Sequence, residues 1–200
     1  MFTGIVRGIG RIAEVGGDDG ARRLRIDTAG LPAGAWRIGD SVAVSGVCLT
    51  IIALGDGCFD SELSGETLRC TTLGRLAPGS RVNLEPAVAA VDSLGGHLVS
   101  GHVDGIARVR QAEEVSGSLR AWIEAPADLA RYIARKGSVT LDGVSLTVGD
   151  VAGAGFSVDL VPHTRAVTTL YALEAEQALN LEVDLIARYL ERLLDARGTR

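Results

Sequence analysis

Shifted by 97 positions without a gap, the 200-residue chain lies on itself. Gly4 falls on Gly101, Val6 on Val103, Gly8 on Gly105 and Arg11 on Arg108. The same shift carries Ser41-Val42 onto Ser138-Val139, Gly46-Val47 onto Gly143-Val144 and Leu49-Thr50 onto Leu146-Thr147. It ends with Asn83-Leu84-Glu85 on Asn180-Leu181-Glu182. One constant offset over nearly the whole length means two copies of a single folding unit. The junction falls near 92–96, where VDSLGG supplies turn chemistry. The chain therefore divides into units 1–96 and 97–183, followed by a tail, 184–200, that has no counterpart.

Within each unit the pattern is that of short strands. Ser41–Val44 and Ser138–Leu141 are β-prone and lead into Gly46 and Gly143, which suit a turn or bulge. Val47–Leu54 and Val144–Val148 resume as strands, and GGDDG at 16–20 reads as a loop. Short strands between glycine turns predict a small closed barrel in each half, since closure removes exposed edges. PADLARYIA from Pro126 is the exception, with Leu129, Tyr132 and Ile133 at the spacing of a short helix. In the tail Leu185, Ile186, Tyr189, Leu190, Leu193 and Leu194 share one face, which predicts an amphipathic helix. Two roles fit it: packing on its own barrel, or associating with copies of itself.

The 20 basic and 25 acidic residues leave a net charge of −5, so nucleic acid and anionic membrane surfaces are excluded as main partners. No apolar run approaches a membrane span, and the alternating, arginine-interrupted start does not read as a signal peptide. Cys48, Cys58 and Cys70 match no zinc spacing and are odd in number, which is simplest as reduced thiols in the cytoplasm.

The places where the two copies differ are the candidates for chemistry. SGVCLT aligns with DGVSLT, so Cys48 corresponds to Ser145; TGIV aligns with SGHV, so Ile5 corresponds to His102. A thiol is a soft nucleophile and an imidazole a base near neutral pH. The plainer alternatives are a small buried cysteine and a hydrogen-bonded strand histidine. Asp104 shares a strand face with His102, placed either to orient it or in solvent. His97 and His102, five apart, would face opposite sides of one strand, which disfavours a shared metal. Glu62, Glu66 and Thr67 in ELSGET are answered by Asp159, His163 and Thr164 in DLVPHT, groups that suit a polyol or heterocycle or cap turns. Lys136 is the only lysine.

MFTGIV, GVCLT at 46–50, GETL-x-x-TTL at 65–73, GGHLVSGHVDG at 95–105, DGVSLTV at 142–148 and PHT-x-x-x-TTL at 162–170 together resemble the riboflavin synthase α-chain family. The resemblance spans essentially the whole chain. It implies an all-β fold with a C-terminal helix: two tandem six-stranded Greek-key β-barrels related by duplication. It also implies a homotrimer assembled through the tail helices, no metal or organic cofactor, and an association with lumazine synthase as a possible further partnership. The implied reaction converts two 6,7-dimethyl-8-ribityllumazine molecules into riboflavin and 5-amino-6-ribitylaminouracil by four-carbon transfer. Carried over by motif, one pocket comprises Gly4, Ile5, Val6, Cys48, Leu49, Thr50, Glu62, Leu63, Ser64, Gly65, Glu66 and Thr67. The other comprises Gly101, His102, Val103, Ser145, Leu146, Thr147, Asp159, Leu160, Val161, Pro162, His163 and Thr164. The resemblance adds Lys136, reaching the ligand of a neighbouring subunit, and Asp184, whose alternative is a helix cap. Cys48 and His102 are the expected reactive pair.

Overall fold

A computed structural model describes residues 1–18, 21–31 and 36–198 of the chain. The first repeat forms β1 (Gly8–Asp18), β2 (Ala21–Asp27), β3 (Ser41–Val44), β4 (Val47–Thr50), β5 (Ala53–Gly55), β6 (Cys58–Leu63), helix α1 (Gly65–Cys70) and β7 (Arg81–Pro86). The second forms β8 (Gly105–Val115), β9 (Ser118–Glu124), β10 (Ser138–Leu141), β11 (Val144–Ala152), β12 (Gly155–Leu160), α2 (Pro162–Val167) and β13 (Ala178–Val183). Helix α3, Leu185–Gly198, ends the described chain.

The second repeat closes into a six-stranded barrel in the order β10-β11-β12-β9-β8-β13. The first repeats that Greek-key order as β4-β3-β7-β1-β2-β6-β5. Its seventh strand arises because the counterpart of β11 is broken at Ile51–Ile52. There the Ile51 amide donates to Asp40 O and the Ile52 amide to Asp60 O. Strict alternation fills both interiors. β10 and β12 turn Val139, Leu141, Phe156, Val158 and Leu160 inward, all fully buried, and the first barrel does the same with Leu24, Ile26, Val42, Val44, Phe59 and Leu63.

Three local expectations are corrected. PADLARYIA holds only a 3₁₀ turn at Ala130–Tyr132, which lays the buried Leu129 and Ile133 over the barrel. Gly16, Gly17 and Asp18 extend β1, paired with Arg23, Arg22 and Ala21; the rest of the expected GGDDG loop, residues 19–20, lies outside the described residues. Finally, α1 and α2 fall on GETLRC and PHTRAV, which were read only as polar clusters.

The repeats meet backbone to backbone. A β-carbon at Gly46 would stand 2.6 Å from the Gly143 amide nitrogen, and one at Gly143 2.7 Å from that of Gly46, so only glycine permits the approach. The aligned asparagines lock the seam reciprocally. Asn83 Nδ2 donates to Asp142 O at 2.9 Å and its Oδ1 accepts from Thr169 N at 2.8 Å. Asn180 Nδ2 donates to Ser45 O and its Oδ1 accepts from Thr72 N, both at 2.8 Å. Each side chain thereby satisfies a carbonyl and an amide that the seam would otherwise leave unpaired.

Asp142, where the first repeat has Ser45, accepts the Asn180 amide at 2.8 Å, and burial of its carboxyl in the seam pushes it from 3.8 up to about 7. Between those values the unfolded chain has released a proton that the folded chain keeps. Its contribution is full below the lower value and is lost as pH rises through the upper one. Asp142→Asn is expected to raise the thermal midpoint near pH 8 by ~3 °C or more, at ~2–4 °C per kcal/mol, and to change it little near pH 4. Equal shifts at both pH values in a melting series would contradict this.

Candidate functional site

Before each barrel the chain runs as an extended segment, and both segments are pinned the same way. Glu85 of β7 accepts from Thr3 N at 2.7 Å, Thr3 Oγ1 at 2.8 Å and Gly4 N at 3.1 Å. Glu182 of β13 accepts from Ser100 N at 2.8 Å, Ser100 Oγ at 2.7 Å and Gly101 N at 3.0 Å. Burial pushes the Glu85 carboxyl up, and the Thr3 and Gly4 donors oppose that shift.

Beyond those anchors the segments cross. Ser145 N, in the second barrel, donates to Gly4 O at 2.8 Å, while Cys48 N, in the first, donates to Gly101 O at 2.8 Å. Val6 accordingly packs on the second barrel's core and Val103 on the first's. Phe2 and Val99 bridge the two segments and bury together with Ala43, against Cys48.

The crossing corrects the expected pockets. A cavity of about 220 Å³ opens between Val47 and Cys48 of β4, Glu66, Thr67, Cys70 and Thr71 at α1, and Gly101, His102 and Val103 from the second repeat. Gly101 lies so close that a β-carbon there would be 2.7 Å from that of Cys48. Gly4, Ile5 and Val6 belong instead with Ser145, where a β-carbon on Gly4 would meet the Ser145 β-carbon at 2.6 Å. Cys48 and His102, read as separate departures in separate copies, line one cavity.

The opposite site has different chemistry. His97 Nδ1 is hydrogen-bonded to Ser145 Oγ at 2.8 Å. Burial holds the His97 ring below its usual range, partly offset by the carboxylates of Asp184 and Glu182, which favours the neutral imidazole that can accept a hydroxyl proton. His97 and His102 do part, as expected, but because their loop passes from one site to the other. They do not lie on a strand at all.

The other expected residues divide clearly. Leu49, Leu63, Leu146 and Leu160 point into the cores, so only their backbone faces a ligand. Thr50, Thr147, Glu62, His163, Val161 and Pro162 are exposed, and Thr164 is half-buried. Ser64 caps α1 by accepting from Thr67 N at 3.1 Å, and Gly65 opens that helix. Asp159 is held below the usual carboxylate range by Arg120, which contacts it at 2.8 and 3.1 Å, with Lys136 a smaller contributor. Lys136 thus lies within electrostatic reach of the second barrel's Asp159, whose ion pair is with Arg120. Asp184 caps α3, accepting from Ile186 N at 2.9 Å. Asp104 neither orients His102 nor meets solvent: its side chain is buried, accepts from Val183 N at 2.8 Å and pairs with Arg188 of α3.

Sequence reasoning missed His97 and Cys70. The signal for Cys70 was its i+4 spacing from Glu66, visible once GETLRC is read as helix. Among the described residues, no group of three or more His, Cys, Asp or Glu side chains is placed to hold a metal ion.

Two tandem barrels whose leading segments cross form the fold of the tandem lumazine-binding proteins, and the lumazine binding domain model matches residues 3–87 and again 100–184. Among solved structures, LumP complexed with riboflavin superposes with a TM-score of 0.83 at 26% identity, covering 92% of this chain and 99% of that one. LumP complexed with 6,7-dimethyl-8-(1'-D-ribityl) lumazine gives 0.81 at 25% identity, with the same coverage. Curated relatives are more similar in sequence. Riboflavin synthase of Mycobacterium bovis is 45% identical over 99% of this chain and 100% of its own length. That of Brucella abortus is 42% identical over 96% and 98%, and that of Photobacterium phosphoreum 40% over 97% and 89%. The chain belongs to the riboflavin synthase family.

Proposed function

We propose that this chain is a riboflavin synthase, a transferase that converts two molecules of 6,7-dimethyl-8-ribityllumazine into riboflavin and 5-amino-6-(D-ribitylamino)uracil by moving a four-carbon unit. Identities of 40–45% to synthases across the full length support the reaction. So does the duplicated lumazine-binding unit, since two identical substrates call for two related recesses. The repeat units are 1–96 and 97–183, with 184–200 as an oligomerisation tail.

The observation that carries the mechanism is the convergence of Cys48 and His102 on one cavity, while the aligned contact in the other repeat brings Ser145 against Gly4, next to Ile5. The two products differ, so one lumazine donates and the other accepts, and unlike recesses separate those roles. The lumazine seated beside Cys48 and His102 is the acceptor: Cys48 activates it, by adding to its ring or by delivering a nucleophile, and His102 transfers a proton at the same recess. The attacking carbanion comes from the acidic C7 methyl group of the other lumazine. Glu62, Glu66, Thr67, Asp159, His163 and Thr164 supply hydrogen bonds to ribityl and pyrimidine groups. The two products together contain the atoms of the two substrates, so the transfer consumes no oxidant or reductant. Holding the reactants together supplies ~7–11 kcal/mol of the acceleration, so loss of either side chain is milder than in nucleophile-dependent hydrolases.

The binding-only alternative, a carrier like LumP, is favoured by the structural likeness alone, at 25–26% identity. It is opposed by GVCLT and GGHLVSGHVDG, both intact here.

Assembly is proposed as a homotrimer. The face of α3 that carries Ile186, Tyr189, Leu190, Leu193 and Leu194 leaves each of them more than half exposed. The opposite side is tied down by Arg188 to Asp104 and by Glu191 to Tyr132 and Arg131. A contiguous apolar face of this kind calls for a partner. No helix of the described chain is long and apolar enough to cross a membrane. A cytoplasmic location and an association with lumazine synthase belong to the same proposal.

Flavin fluorescence from protein incubated with the lumazine tests the reaction. Cys48→Ala and His102→Gln should each lower the single-turnover rate by ~10–10²-fold. Full rates in both, with assembly intact, would remove the assignment. In sedimentation the chain shortened to 1–183 should run as a monomer, and an unchanged oligomer would take the role from α3.

A further inference from the structure

The cavity that holds Cys48 carries a second thiol for which the transfer reaction has no use. Cys70, in the last turn of α1, lines the same space of about 220 Å³. Both cysteines are half-buried and free. The Cys70 thiol donates to Glu66 Oε1 at 3.0 Å, one turn back on its own helix, so this bond ties it to α1 rather than to the barrel. That helix has six residues and buries none of their side chains. Leu68 of the helix packs on the first barrel's core and Thr72 N is held by Asn180 just beyond it, so a bridge to β4 is left to rotation of the Cys70 side chain rather than to movement of the helix.

We propose that Cys48 and Cys70 form a peroxide-sensitive thiol pair whose bridging closes the cavity. Hydrogen peroxide oxidises one thiol to a sulfenic acid as its O–O bond breaks and one water leaves. The second thiol then displaces the hydroxyl, an S–S bond forms and a second water carries away the proton. Two thiols are oxidised and one peroxide is reduced to two waters. A disulfide holds its two α-carbons within ~4.4–6.8 Å, so the bridge fixes α1 against β4. The recess that His102 shares is then shut to a ligand. The second repeat has Ser145 and Val167 at the aligned positions, so its site carries no such bridge. Cys58, on β6 against Gly55, does not line the cavity and serves as an internal control.

The loss of activity rests on reading this cavity as a lumazine site, whereas the crosslink does not. Full-length protein treated with hydrogen peroxide is examined by non-reducing peptide mass spectrometry and, in parallel, for flavin formation. The expected result is a peptide pair joined through Cys48 and Cys70, with a fall in rate of more than tenfold that dithiothreitol restores. In Cys70→Val, which installs the second repeat's residue, the crosslink should be absent and the dithiothreitol-recoverable loss smaller than in the parent. Absence of a Cys48–Cys70 crosslink, a bridge through Cys58 instead, or a recoverable loss in Cys70→Val equal to that of the parent would overturn the proposal. Reduced, untreated protein that makes no flavin would count against the synthase reading, and the crosslink would still decide this one.

Discussion

Two carboxylates set the arrangement on which everything else depends. Glu85 and Glu182 occupy aligned positions in the last strand of each barrel, and each gathers three donors from the extended segment that precedes β1 or β8. A buried carboxylate is costly unless its oxygens are satisfied, so these segments have little freedom of position. Held by one barrel, each segment passes its next carbonyl to a strand amide of the other. The glycine contact at 46 and 143 and the two bridging asparagines fix the distance across which that exchange occurs.

The functional asymmetry follows from this exchange. Duplication alone would give two equal recesses, which suit binding but do not distinguish donor from acceptor. Two substitutions, Cys48 for the serine and His102 for the isoleucine, would be split between recesses if each segment stayed with its own barrel. Crossing brings them to one recess and leaves Ser145, Ile5 and the His97 contact at the other. A small number of changed side chains thus gives the two ends of a nearly symmetric scaffold unlike chemistry.

Much of the fold was legible because it is written twice. Every strand of the second barrel begins at its first-repeat counterpart plus 97, and the amphipathic tail stood out by lacking one. The break at Ile51–Ile52 was hidden because both residues are β-branched and apolar, the composition of an unbroken strand. At PADLARYIA, helical spacing was followed where tertiary packing of Leu129 and Ile133 needed only one tight turn. The candidate site was legible as residue types and illegible as groupings. An offset of 97 relates Gly4 to Gly101 equally well whether a segment serves its own barrel or the other, so no pattern in one sequence distinguishes the two. His97 was hidden for a related reason: it aligns with no residue of the first repeat, so comparing the copies passes over it.

If His102 serves the recess of the first barrel together with Cys48, a crystal structure of the full chain with an unreactive 8-ribityllumazine analogue will show a ring in van der Waals reach of both side chains within one subunit. A second ring will lie beside Ser145 and Ile5. An analogue seated between His102 and Ser145, with Cys48 facing a separate molecule, would contradict that placement of His102.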